Sequence, residues 1–396
     1  MSRMGWPRRL CAALALGIFL VSASAVARDI KVGIIGPFSG PFAEYGQRYQ
    51  QAVELALAQR ASQVGNSTIS ILYRDVGGNA PQRARQLAQE LVVRDKVDYM
   101  GGLALTPNVL AVADVVTEAK TPFVIFNSGT SGVPQKSPYF IRTGFTQWTV
   151  SFPIARWAAE RGKKTAAIVV ADYAPGYDAA DAFADGFKGR GGQIVEIIKV
   201  PLNTTDYSSY LQRVQSLKPD CVFVFLNAGP MAVSFINGYI ERGLRASGIE
   251  LYGTSEFQEI DLPKIGTGAI GLVSALHYGP DLDNPENKAF VSALIAKFGE
   301  QALPDIFTVQ AYDGMQVLFH MIEATGGQAD SEKAIESVKG FSWNSPRGPV
   351  SIDPQTRDIV QNVYIRKIER LDGEPWAVEL ETFEAVKDPL KESAAQ

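Results

Sequence analysis

Histidine and cysteine are the scarcest residues in this chain, two of each among 396. His277 and His320 stand in no HExxH pattern and have no cysteine neighbours, so no metal site is expected. No GxxxxGK[ST] phosphate loop occurs, and the serines in GPFSG, NSGTSG and YGTSE lack the GxSxG spacing of a nucleophile elbow. One literal GxGxxG, Gly266 to Gly271, precedes an apolar run instead of following a strand, so no dinucleotide cofactor is expected either. Basic charge is in deficit as well: 38 Lys and Arg face 42 Asp and Glu. That balance excludes nucleic acid as a partner.

Long apolar runs are absent beyond the first residues. Leu10 to Val21 follows Arg3, Arg8 and Arg9 and leads into small residues ending Ala25-Val26-Ala27. This is the three-part pattern of a secretory signal peptide over 1–27, cut after Ala27; the run is too short to span a bilayer. Cys11 opens the run, whereas a lipid-bearing cysteine would follow it. What is left is exported and carries 35 basic against 42 acidic side chains. Its one cysteine, Cys221, lies inside CVFVFL and reads as a core residue with no disulfide partner. Stability must come from apolar cores, and about 370 residues suffice for two domains of ordinary size.

What the chain does have is alternation. Ile30 to Ile35 is a β-branched run, GPFSGP breaks it, and Tyr49, Ala52, Val53, Ala56 and Leu57 then recur at helical spacing. In a parallel sheet the loop of such a unit lies outside the carboxyl end of its strand, where small ligands are held. There Ser39 and Tyr45 offer hydroxyls and the first helical turn offers N–H groups to an anion; a plain tight connection fits GPFSGP equally. Further strands end in GGLALTPN and NSGTSG. A second series, from Gln147 to Gly253, repeats the architecture without repeating the sequence. The expected fold is α/β: two Rossmann-like, doubly wound lobes joined by a three-segment hinge. Helices at Pro285 to Phe298 and Asp305 to Ala324 and three late strands complete the lobes, which place 28–145 with 278–345 in one lobe and 146–277 with 346–396 in the other. Crossings fall near Phe145, Tyr278 and Asn344. Two lobes on so few linking segments close by rotation.

The set VGIIGPFSGPFAEYG, GGLALTPNVLAVADV, TPFVIFNSGTSG, KSPYFIRTGFT, VADYAPGYDAADAF and RGPVSIDPQTRDIVQNVYIRKI resembles the branched-chain amino-acid type of periplasmic binding protein. It covers essentially the whole chain after residue 27, in order, and is closer to the branch associated with aromatic acids. The resemblance implies a periplasmic solute receptor of an ABC importer, with the membrane permease subunits as partners, no cofactor and no catalysis. It implies a small carboxylate ligand, an aromatic acid or a hydrophobic amino acid, enclosed between the lobes. Carried over by motif, the first lobe contributes Tyr45, Leu105, Thr106, Ser128, Gly129, Thr130 and Ser131, and the second Tyr173, Asn227 and Glu256.

Two features bear on the ligand. Leu105 replaces the serine usual in amino-acid binders, and Glu256 falls near the acid that holds a ligand ammonium. A Glu256 in the cleft implies an amine; one turned to solvent implies an uncharged or purely anionic ligand. Head-group partners decide the class, because an unpaired buried charge costs several kcal/mol and a buried methylene contributes roughly 0.8 kcal/mol. A ligand-sensing module is the alternative function, and an enzyme needs a constellation the sequence does not present.

Overall fold

The computed structural model describes Met1 and residues 28–394, apart from 61–62 and 65–66; the expected signal peptide lies outside the described residues except for Met1. Among the described residues no helix is long and apolar enough to cross a membrane. The first sheet holds β1 (Asp29–Gly36), β2 (Gln63–Val64), β3 (Ser67–Asp75), β4 (Tyr99–Gly102), β5 (Phe123–Ile125) and β6 (Phe140–Arg142) in the order β2-β3-β1-β4-β5-β6. Every pairing in it is parallel except β2 with β3.

Its connections are α1 (Ala43–Gln59), α2 (Pro81–Gln89) and α3 (Thr106–Ala119). Helix α1 turns Tyr45, Tyr49, Ala52, Val53 and Ala56 inward at the spacing that the 3.6-residue period requires. Helix α2 begins at Pro81 and passes into a π-helical turn at Glu90–Asp95.

The second sheet contains β7 (Thr165–Ala171), β8 (Gln193–Val200), β9 (Cys221–Phe225), β10 (Glu250–Gly253), β11 (Val273–Leu276), β12 (Ser342–Ser345), β13 (Gly348–Ile352), β14 (Ile359–Leu371) and β15 (Glu374–Val386). Its order is β12-β13-β14-β11-β10-β9-β7-β8, with β15 on β14. The helices here are α4 (Gln147–Glu160), α5 (Ala174–Lys188), α6 (Ser208–Leu217), α7 (Pro230–Glu241) and α8 (Leu262–Ile265). Helix α5 starts directly after the strand, because extended Tyr173 and Pro175 open it. Cys221 is fully buried.

After β11 the chain returns to the first lobe as α9 (Pro285–Phe298), α10 (Ile306–Thr325) and α11 (Ser331–Val338), and α12 (Pro389–Ala394) ends the described residues. Helix α10 packs along α1. Strand β13 pairs with β14 in the second sheet, and just after it Arg357 donates to the carbonyls of Phe140, Pro134 and Ser137 in the first lobe.

Candidate ligand-binding cleft

Five helix starts converge between the lobes. Leu105 precedes α3, Thr146 caps α4 by accepting from the Thr149 N–H, Tyr173 precedes α5, Gly229 precedes α7, and Asp305 caps α10. Asp305 and Thr308 form a capping box, the Thr308 N–H reaching Asp305 Oδ1 at 2.9 Å. This fixes where α10 begins, and so places Ile306 and Phe307 on the cleft.

A small cavity, tightly drawn in by the contact between the lobes, lies there. Its lining comprises Tyr45, Ala104, Leu105, Asn127, Gly129, Ile306 and Phe307 from the first lobe, Phe145 and Gln147 from the first crossing, and Tyr173, Pro175, Phe225, Asn227, Ala228 and Ser255 from the second lobe. Tyr45 stacks on Phe307 with ring centroids 3.7 Å apart, and Tyr173 lies parallel to Phe225 at 6.4 Å. Two aromatic pairs thus wall the space from opposite lobes.

The lobes also touch directly. The Tyr45 hydroxyl donates to the Ala228 carbonyl at 2.8 Å, the Ile306 N–H to Gln258 Oε1 at 3.2 Å, and the Ser131 N–H to Asp178 Oδ2 at 2.7 Å. The cleft is closed.

Among the described residues no Asp, Glu, Lys or Arg lines the cavity. Its polarity comes from amides and helix starts. The Tyr173 hydroxyl donates to Asn227 Oδ1 at 2.8 Å and so fixes which end of the amide is spent; Asn227 Nδ2 has no partner, nor do Asn127 Oδ1 and Gln147 Oε1. Buried polar groups of this kind are normally satisfied, so three of them around one cavity mark where a ligand's own polar atoms would go. Helix starts and an amide N–H₂ suit an anion, and carbonyl oxygens suit a hydroxyl.

Of the residues singled out in the sequence, Tyr45, Leu105, Gly129, Tyr173 and Asn227 line this cavity. The others do not, each for a visible reason. Exposed Ser39 donates its hydroxyl to Asp75 Oδ2 at 2.5 Å, part of a turn in which Asp75 also takes the Phe38 N–H. Thr106 is hydrogen-bonded to the hydroxyls of Ser128 and Thr130, a cluster behind the loop. Ser131 gives its hydroxyl to Asp388 Oδ2 at 2.6 Å.

Glu256 neither enters the cleft nor meets solvent. It is fully buried, with Oε1 accepting from the Leu226 N–H at 2.9 Å and Oε2 from the N–H and hydroxyl of Thr254. Burial pushes its carboxyl up to about 7, against the pull of those donors. Both carboxyl oxygens are turned to donors of its own lobe, and Glu256 is not among the residues that line the cavity.

Phe307, Ile306, Phe145 and Gln147 were not foreseen. The cap at Asp305 and the crossing at Phe145 were legible signals, because segments that begin helices at a hinge must face the cleft.

The match to known proteins agrees with this geometry. Residues 29–374 match the family model described as periplasmic binding protein. A Leu/Ile/Val-binding protein homolog 6 of Brucella melitensis is 44% identical over 378 residues, 95% of this chain and 97% of the relative. A solute-binding protein of an R. palustris ABC transporter, solved in complex with 4-hydroxybenzoate, is 44% identical with a TM-score of 0.89, covering 91% of this chain and 98% of that one. Another, from Rhodopseudomonas palustris BisB5 with 3,4-dihydroxybenzoic acid, is 42% identical with a TM-score of 0.88, covering 92% and 99%.

Proposed function

This chain belongs to the periplasmic binding protein family, and we propose that it is the periplasmic receptor of an ABC importer for a hydroxylated aromatic carboxylate. One observation carries the choice of ligand: the cavity has aromatic walls from both lobes and no acid, and Glu256 is committed elsewhere. An α-amino acid would bury its ammonium there without a counter-charge, at a cost of several kcal/mol. A benzoate buries a carboxylate that helix starts and amide N–H groups can satisfy, and a ring hydroxyl meets the unpaired oxygens of Asn127 and Gln147. The 4-hydroxybenzoate and 3,4-dihydroxybenzoic acid complexes of the two similar proteins support the same class. Binding shifts the lobes toward closure because contacts from both sides exist only in that state, and the permease subunits would read the closed form. No bond is made or broken.

A thermal-shift panel on the purified protein tests this. At a concentration 100-fold over Kd a ligand adds about 2.7 kcal/mol, a shift of several degrees. Hydroxybenzoates are expected to give it, and leucine, isoleucine and valine to give none. The reverse ranking would return the site to amino acids.

Closure should also respond to pH through Asp178. Burial pushes this carboxyl up to about 6, Asp388 adds to the rise, and the Ser131 N–H and Arg142 oppose it. Opening the cleft removes the Ser131 and Asp388 contacts and part of the burial, and is expected to let it fall toward the ordinary carboxylate value. The protonated acid therefore favours the closed form below the lower value, and that help is lost as pH rises through about 6. Calorimetric titration with 4-hydroxybenzoate is expected to show affinity falling several-fold from pH 5 to pH 7, and Asp178→Asn is expected to flatten the profile. An equally steep profile in the variant would assign the effect to another group.

A further inference from the structure

The loop that presents Gly129 to the cavity is held by residues outside the cavity. We propose that Arg142 is the positioning residue of this ligand-facing loop, and that Asp388 and Lys391 of the C-terminal segment complete its hold. The inference rests on the reading that the cavity is the ligand site.

Arg142 ends β6 and is fully buried. Its Nη1 donates to the Ser128 and Thr130 carbonyls at 2.6 Å each, and its Nη2 to the Ser131 carbonyl at 3.1 Å. Three carbonyls of one short loop thus turn inward onto a single guanidinium. Its Nε reaches Asp358 Oδ1 at 2.8 Å, and Asp358 Oδ2 pairs with Lys391. Asp388 takes the Ser131 hydroxyl. The C-terminal segment, more than 250 residues away in sequence, therefore grips the same loop that Arg142 grips.

Backbone strain shows that the hold is needed. Ser128 has φ 106°, a conformation that side-chain-bearing residues rarely adopt and that persists only where the surroundings over-determine it. Between two such anchored residues, Gly129 faces the cavity and its carbonyl takes the Gln147 N–H at 2.8 Å. Release of the carbonyls of Ser128 and Thr130 would let Ser128 relax, and Gly129 and Gln147 would move with it. A lysine cannot substitute, since a point charge does not present the planar fork that three carbonyls need.

Hydrogen exchange on the ligand-free protein is the decisive measurement, paired with calorimetry on 4-hydroxybenzoate. In Arg142→Lys the segment 127–132 is expected to exchange at least about tenfold faster while β7 and α1 keep their rates, and the Kd is expected to rise about tenfold. A residue that served overall stability alone would lower Tm and leave both readouts of the folded protein unchanged. Should Arg142→Lys fail to fold, Asp388→Ala combined with Lys391→Ala removes the C-terminal segment's grip and is expected to speed loop exchange about threefold. Wild-type exchange in that folded variant overturns the proposal. A wild-type protein that binds no aromatic acid would defeat the ligand reading alone, because loop exchange is scored without ligand.

Discussion

Replacement of Asp313 by asparagine is expected to lower the unfolding free energy by about 3–5 kcal/mol, and Tm by about 4–6 °C. Asp313 and Arg347 are both fully buried, and together they tie the crossing segments at the waist of the molecule. Arg347 donates to Asp313 Oδ2 at 2.7 Å, to Gln361 Oε1 at 2.6 Å and to the Thr143 carbonyl at 2.9 Å. Gln361 passes the connection on to the Gly144 carbonyl, and Trp343 and Ser345 satisfy the rest of the carboxylate. Asparagine leaves the guanidinium charged, buried and without its counter-ion. Solvent cannot rescue it.

The magnitude depends on burial and not on the presence of an ion pair. Arg60 and Glu323 also meet at 2.6 Å, but their side chains are 41% and 45% exposed, and their loss is expected to cost less than about 1 kcal/mol. A double replacement, Asp313→Leu with Arg347→Met, removes both charges and is expected to cost less than the single one. Denaturant unfolding of the four proteins checks this. A single variant as stable as the wild type would mean that water reaches the pair and that the waist is looser than its hydrogen bonds indicate.

How far the sequence foretold this molecule follows from the range over which each signal acts. Strand β1, its loop and α1 were legible because apolar period, Gly/Pro break and helical spacing lie within thirty residues. Helix α9 was legible to the residue, since Asn284 caps it locally. The short strand β12 escaped: SWNS has no apolar alternation, and its pairing with β13 defines it. The site divides along the same line. Gly129 and Tyr173 sit at strand ends, where loops face the cleft by topology. Phe307 stacks on Tyr45 from 262 positions away, and no local pattern brings the two together. The residues that stand away from the cavity do so for one cause. Ser39, Ser131 and Glu256 have the right chemistry for a ligand, but Asp75, Asp388 and the Thr254 and Leu226 N–H groups already consume it. Which polar group is spent and which is spare is a tertiary fact.

Tyr173 is where a spare group and a spent one meet, and Tyr173→Ala is expected to weaken aromatic-acid binding about 30- to 150-fold, or about 2–3 kcal/mol. Its backbone is extended at φ −161° just before α5, which lays the ring across the cavity beside Phe225 at an interplanar angle of 13°. Alanine removes that wall and also the hydroxyl that fixes the Asn227 amide, so the unpartnered Nδ2 is no longer aimed. Tyr173→Phe separates the two effects. It keeps the wall and loses one hydrogen bond, with an expected weakening of about fivefold. Fold stability should change little in either variant, because Tyr173 is only half-buried and packs on the edge of the cores. Calorimetry with 4-hydroxybenzoate, alongside circular dichroism, distinguishes the cases. If alanine and phenylalanine weaken binding equally, the ring makes no contact and Asn227 alone carries the second lobe's share; if neither does, the ligand lies elsewhere.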